Sequence, residues 1–136
     1  MLREFDVTVV TRPSSSASYP DNVKIAKISY SEAELVKVLE GQDAIVSAVG
    51  PMGFLEQKTF IDAAVKASVK RFIPAEFSSS TLNDVARQVV PVFEFKKQVL
   101  DYLKEKEPTG LTWTGLATGP LLDWVSHLVL AKRVAF

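Results

Sequence analysis

The chain has 136 residues, 47% of them apolar, and its 16 basic and 16 acidic side chains cancel. That length and hydrophobic content suit one globular domain with a real core. The balanced charge, with no block of one sign, argues against direct nucleic-acid binding or an anionic membrane surface. With no cysteine and a single histidine, disulfides, thiolate chemistry and a structural zinc site are excluded.

In chain order, Phe5 to Thr11 (FDVTVVT) is a valine-rich strand that ends in Arg12-Pro13 and the serines Ser14 to Ser16. Lys24 to Ser29 reads as a second, weaker strand. Ser31 and Glu34 form a capping-box pattern ahead of the apolar stripe Leu35, Val38 and Leu39, and Gly41 closes that helix. A third strand, Asp43 to Val49, stops at Gly50-Pro51. A helix over Leu55 to Ser68 places Phe60, Ile61, Ala64 and Val65 on one face, and the strand Val69 to Ile73 follows it. Pro74 removes a ladder donor there and hands the chain to a polar loop with Glu76, Phe77 and Ser78 to Ser80. A helix from about Val92 to Lys106 and a strand from Leu111 to Ala117 complete the pattern. The segment Leu121 to Phe136 is apolar and helix-compatible.

Strands alternating with helices of this length predict βαβ units, hence an α/β, Rossmann-like parallel sheet with flanking helices over residues 1–136. Ligands of such sheets bind at the carboxyl ends of the strands. Met1 to Glu4 does not read as a secretory leader. The longest apolar run, near Leu128 to Ala131, is far shorter than the roughly 20 residues a bilayer requires. A cytoplasmic location without membrane attachment is therefore expected.

Several residues carry potential chemistry. On a helical wheel with Val92 as origin, Phe95, Val99 and Leu103 fall within about 60°, and Lys96 falls at about 40°, inside the apolar stripe. Lys97, near 140°, lies outside it yet close enough in register to remain a rival. A lysine in that stripe either snorkels to water or is a desolvated amine able to move protons near neutral pH. Arg12 after a strand is either a solvated turn residue or a partner for a phosphate. Glu76 either orients its loop or binds a substrate hydroxyl. His127 reads as structural, Trp113 as core, and Trp124 as a candidate pocket residue.

Five segments, in order, resemble the NmrA-like and isoflavone reductase-like family of atypical short-chain dehydrogenases: VTVVTRPSS (7–15), GQDAIVSAVG (41–50), EQKTFIDAAVKASVKRFIPAEF (56–77), VFEFKKQVLDYL (92–103) and TWTGLATGPLLDW (112–124). The resemblance implies an NADP(H)-dependent reductase acting by hydride transfer on a small, aromatic or phenylpropanoid-like substrate. It implies Lys96 as the catalytic lysine. Arg12, Ser14 and Ser15 would bind the adenosine 2′-phosphate, and Gly50, Pro51, Pro74, Glu76 and Phe77 would line the cofactor site.

The family's glycine-rich turn, which lays a pyrophosphate on a helix N-terminus, has no counterpart in this sequence. Its first strand corresponds to the family's second, and the family pattern fades beyond Trp124. Weak or absent cofactor binding and unpaired strand edges that seek a second copy or a protein partner are accordingly expected. The rival readings are a non-catalytic dinucleotide sensor and an inactive, shortened member.

Overall fold

The computed structural model describes residues 5–119. The expectations for His127, Trp124 and the apolar segment from Leu121 onward lie outside the described residues.

Five strands are present: β1 (Thr8–Thr11), β2 (Lys24–Lys27), β3 (Ala44–Val46), β4 (Arg71–Ile73) and β5 (Thr112–Trp113). From β2 onward helices separate them: α1 (Glu32–Leu39), α2 (Gln57–Lys66), and the consecutive α3 (Asp84–Val89) and α4 (Phe93–Lys106), with no helix between β1 and β2. All pairings are parallel, in two sheets of order β1-β2 and β3-β4-β5. The arrangement is Rossmann-like, as the strand–helix alternation predicts. In the 3-2-1-4-5-6 order of a dinucleotide-binding sheet, β2 and β1 stand at positions 3 and 2, and β3 to β5 at positions 4 to 6. Among the described residues nothing pairs with the second edge of β1 or of β3.

The strands are shorter than the sequence suggests, and Pro74 is the reason for two of them. Val46 pairs with Ile73 and the Ser47 N–H reaches the Ile73 carbonyl at 2.8 Å, after which β4 has no further rung to offer β3. On the other side, the Thr114 N–H reaches the Phe72 carbonyl at 3.1 Å and closes the β4–β5 ladder. The expected strands Asp43 to Val49 and Leu111 to Ala117 are therefore trimmed to Ala44–Val46 and Thr112–Trp113. β1 begins at Thr8 because its partner β2 begins at Lys24, and Phe5 is left exposed.

The register aligns Ile45, Phe72 and Trp113 across three strands, so they share one face. On that face the core gathers Leu35 and Leu39 of α1, Ile61, Ala63 and Ala64 of α2, and Val99, Leu100 and Leu103 of α4 around the fully buried Phe72. Alternation sends Ala44 and Val46 to the opposite face, where Val46 is 61% exposed. Parallel sheets are ordinarily covered on both faces. On β3 only the helix-bearing face is covered among the described residues.

Ser31 is the N-cap of α1, but its side chain makes no bond to the helix backbone. Its hydroxyl instead donates to Glu34 at 3.0 Å, and Glu34 reaches past it to the Ser29 N–H at 3.0 Å. Gly41, with φ of +77°, follows the C-cap of this helix as expected. Helix α3, which the sequence presents only as loop, is held by Asn83, whose side chain accepts from the N–H groups of Val85 at 2.9 Å and Ala86 at 3.2 Å. No helix among the described residues is long and apolar enough to cross a membrane.

Candidate active site

Helix α4 carries Lys96 inward beside Val99, Leu100 and Leu103. Phe95, expected on the same stripe, is 43% exposed, so the buried face is rotated towards Lys96 and Leu100 and away from Phe95. Lys96 is only 6% exposed. Its ammonium donates to the Glu76 carbonyl and, at 2.8 Å, to the Ser78 hydroxyl. It also lies over the rings of Phe54, 4.9 Å from the centroid, and Phe93, at 5.6 Å. The long stem does not snorkel. Burial pulls the Lys96 amine below the ordinary lysine pKa of 10.5, and the Glu76 carboxylate partly opposes that. Lys97 differs: it is partly exposed and pairs with Asp101 one turn on.

The strand-end turn supplies the rest of this site. Pro74 is fully buried, Ala75 and Glu76 are 4% exposed, and Phe77 is half-buried with φ of +21°. The Glu76 carboxylate accepts from the buried Thr81 hydroxyl at 2.8 Å. Gly115, just beyond β5, packs so close that a Cβ there would lie 3.4 Å from Glu76 Cγ. The buried Gln57 at the start of α2 ties this turn to the preceding loop. It accepts from the Ala75 N–H at 2.9 Å and donates to the Phe54 carbonyl at 3.1 Å.

A second group of residues surrounds a cavity of about 340 Å³ lined by Arg12, Ser29, Tyr30, Glu56, Thr59 and Phe60. Arg12 follows β1 directly. Its guanidinium sits 5.9 Å from the Tyr30 ring centroid and 3.8 Å from the Glu56 carboxylate. Tyr30 meets Phe60 edge to face at 5.2 Å, and it holds a left-handed backbone with φ of +63°, an outlier for a bulky residue. Ser14 and Ser15 do not line this cavity. Ser14 is exposed, and Ser15 closes the turn through its N–H to the Arg12 carbonyl at 3.0 Å.

Gly50 and Pro51 open a single 3-10 turn, Pro51–Gly53, after β3. Gly50 is extended, and a Cβ there would meet no atom of the chain within 4 Å, so internal packing does not demand a glycine. Ser47, immediately past β3, is 4% exposed, and its hydroxyl finds no hydrogen-bond partner among the described residues. Both lie at the carboxyl edge of the strands.

The structure thus distributes the sequence candidates over two clusters. Lys96, Glu76, Pro74 and Phe77 form one, and Arg12 belongs to the other. The segment from Gly50 to Gln57 joins them, because Phe54 faces Lys96 while Glu56 reaches Arg12. Sequence reasoning missed Gln57, Thr81, Phe54, Tyr30 and Glu56. Only Gln57 left a signal, as a polar residue four positions ahead of Ile61 on the apolar face of α2. No cluster of His, Asp or Glu among the described residues could hold a metal ion.

The adenosine end of a nicotinamide dinucleotide fits this layout. A guanidinium, two aromatic rings and a cavity lie together at a strand's carboxyl end, and Ser47 offers an unsatisfied hydroxyl along the same edge. The six glycines, at 41, 50, 53, 110, 115 and 119, include no turn of the pyrophosphate-binding spacing.

A family model described as NAD(P)H-binding matches residues 1–131. Oxidoreductase aprR of Aspergillus flavus is 40% identical over 122 residues, which is 88% of this chain and 41% of that protein. Isoflavone reductase homolog IRL of Zea mays is 41% identical over 49 residues, 35% of this chain and 16% of the relative. Among solved structures, AtPrR2 with NADP+ and (+)pinoresinol superposes with a TM-score of 0.69 at 19% identity, over 85% of this chain and 42% of that one. The chain therefore spans about two fifths of the length of the curated relatives that match most of it. It belongs to the NAD(P)H-binding family, and it is similar to oxidoreductases and isoflavone reductase-like proteins over part of their length.

Proposed function

We propose that residues 1–136 form a dinucleotide-binding unit of an NADP(H)-dependent reductase acting on a small phenolic acceptor, of the class that the pinoresinol-bound neighbour holds. A bound nicotinamide dinucleotide supplies the hydride. The chain's own residues supply position and a proton. Arg12 pairs with the adenosine 2′-phosphate, with Tyr30 beside it and Ser14 and Ser15 shaping the turn that carries it. Gly50 and Pro51 let the backbone approach the cofactor, and Pro74, Glu76 and Phe77 form the floor next to Lys96. Lys96 Nζ holds the proton that goes to the substrate oxygen, and Ser78 and the Glu76 carbonyl aim it.

The observation that carries this reading is Lys96 itself: a nearly buried lysine at the carboxyl edge of the sheet, desolvated and held by two hydrogen bonds and two aromatic faces. Such burial is costly unless the amine is used or firmly partnered. The edges of β1 and β3 that nothing pairs among the described residues also suit pairing with a second copy or a protein partner.

Two measurements test the proposal. NADPH at a large excess over its Kd is expected to raise the melting temperature by several degrees, and no rise would remove the cofactor part. Lys96→Met is expected to keep that rise and lose at least a hundredfold in NADPH-dependent turnover of phenolic acceptors. Cofactor protection with no turnover in either form would instead leave a dinucleotide sensor.

A further inference from the structure

We propose that Glu56 tunes the dinucleotide preference of the Arg12 cavity, by competing for Arg12 and so weakening, without abolishing, its hold on a 2′-phosphate. This rests on the reading of that cavity as the adenosine end of the cofactor site.

Three observations carry it. First, Glu56 Oε2 lies 3.8 Å from Arg12 Nη2, so the one guanidinium lining the cavity already has a carboxylate partner. Second, Glu56 is the N-cap of α2, with its own φ and ψ at −60° and −24°, and this fixes where its side chain starts. A carboxylate there also gains from the positive end of the helix, which favours its place near the cavity. Third, both side chains are about half exposed, at 59% for Arg12 and 46% for Glu56, so the pair is formed in water and is not locked.

A phosphate arriving at Arg12 must displace Glu56 or sit beside it, and two like charges at that spacing repel even when screened. A ribose 2′-hydroxyl has the opposite response, because it can donate to the Glu56 carboxylate in place of the phosphate contact. Glu56 thus narrows the advantage that Arg12 alone would give to a 2′-phosphorylated cofactor. Lys58, on the same helix, is engaged over the Tyr102 ring at 5.4 Å and does not line the cavity. Neutralisation of Glu56 by a neighbouring lysine on α2 is therefore not built into the site.

The test is calorimetric titration of the chain with adenosine 2′,5′-bisphosphate and with adenosine 5′-monophosphate, neither of which needs a pyrophosphate cradle or turnover. Glu56→Gln is expected to tighten the bisphosphate about tenfold, the order of one partly screened like charge, and to leave the monophosphate unchanged or slightly weaker. Arg12→Ala is expected to weaken the bisphosphate in both backgrounds. Glu56→Ala, which removes the carboxylate without a polar replacement, should follow Glu56→Gln. If Arg12→Ala loses bisphosphate binding while both Glu56 variants bind it like the parent, the role of Glu56 is overturned and the Arg12 cavity stands. If neither Arg12 nor Glu56 substitution alters bisphosphate binding, the cavity reading falls as well.

Discussion

Gln57 accepts a hydrogen bond from the backbone N–H of Ala75 at 2.9 Å, across eighteen positions of sequence. The same side chain donates to the Phe54 carbonyl, so one amide fixes both the loop after β3 and the turn after β4. Gln57→Leu keeps the volume but orphans a buried N–H and a carbonyl. We expect a loss of about 2–4 kcal/mol by urea denaturation, from two unsatisfied groups. Phe54 and Glu76, which flank Lys96, should move with it, so the lysine's environment should change although Lys96 is untouched.

The charge on Lys96 should respond to Glu76. Burial lowers the amine's pKa and the Glu76 carboxylate raises it back in part. Carbon-13 dimethylation of lysines followed by NMR is expected to show one resonance titrating below 10.5, absent in Lys96→Met. Glu76→Gln should lower that midpoint further. Where Lys96 acts as proton donor, turnover falls as pH rises through its pKa, so the alkaline limb should move to lower pH in Glu76→Gln. Thr81→Val removes the hydroxyl that Glu76 accepts from, and should cost about 1–3 kcal/mol of stability.

Away from the site, Asp62 on α2 takes hydrogen bonds from Tyr102, at 2.7 Å, and from Lys106 at the end of α4, also at 2.7 Å. Burial alone pushes the Asp62 carboxyl up, but these two donors more than reverse it and hold its pKa below 3.8. Lys106 is raised above 10.5, chiefly by the hydrogen bond to Asp62 and next by that to Tyr102. The contribution from Asp62 is present above pH 3.8 and lost as pH falls through its lowered pKa. That from Lys106 is present below 10.5 and lost as pH rises through its raised one. Asp62→Asn should cost about 1–2 kcal/mol at pH 7 and flatten the acid limb of a stability–pH curve. Tyr102→Phe should cost about 1 kcal/mol and leave that limb in place.

Phe72 has no exposed surface and sits where α1, α2 and α4 meet β4. Phe72→Ala is expected to cost about 3–5 kcal/mol by denaturant titration, enough to unfold a domain of ordinary stability.

The strand–helix alternation was legible because periodicity reports burial directly. Val99 and Leu103 on α4, and Ile61 and Ala64 on α2, pack where their spacing puts them. Strand lengths were less legible, since each depends on a partner: nothing within Asp43 to Val49 tells that Pro74, some thirty positions later, will end its ladder. Helix α3 was invisible because it has no buried residue to mark it, and Asn83 and Arg87 hold it through polar contacts. Lys96 could be singled out because a charge in an apolar stripe breaks the pattern. Tyr30, Glu56 and Thr81 could not, because they meet their partners only once separate loops converge.

The division into two sheets has a consequence for how the molecule breathes. Among the described residues the β1–β2 ladder makes no hydrogen bond to the β3–β5 sheet, and the links between them include the packing of α1 on α2, Tyr30 on Phe60 and the exposed Arg12–Glu56 pair. Opening the β1–β2 ladder itself releases four rungs while Leu35, Leu39 and the rest of the core stay packed on Phe72. Amides of Val9, Thr11 and Ala26 should therefore exchange with deuterium well before those of Phe72 and Ile73, as a separate cooperative unit. A ligand that gripped Arg12 would slow the first group and leave the second unchanged.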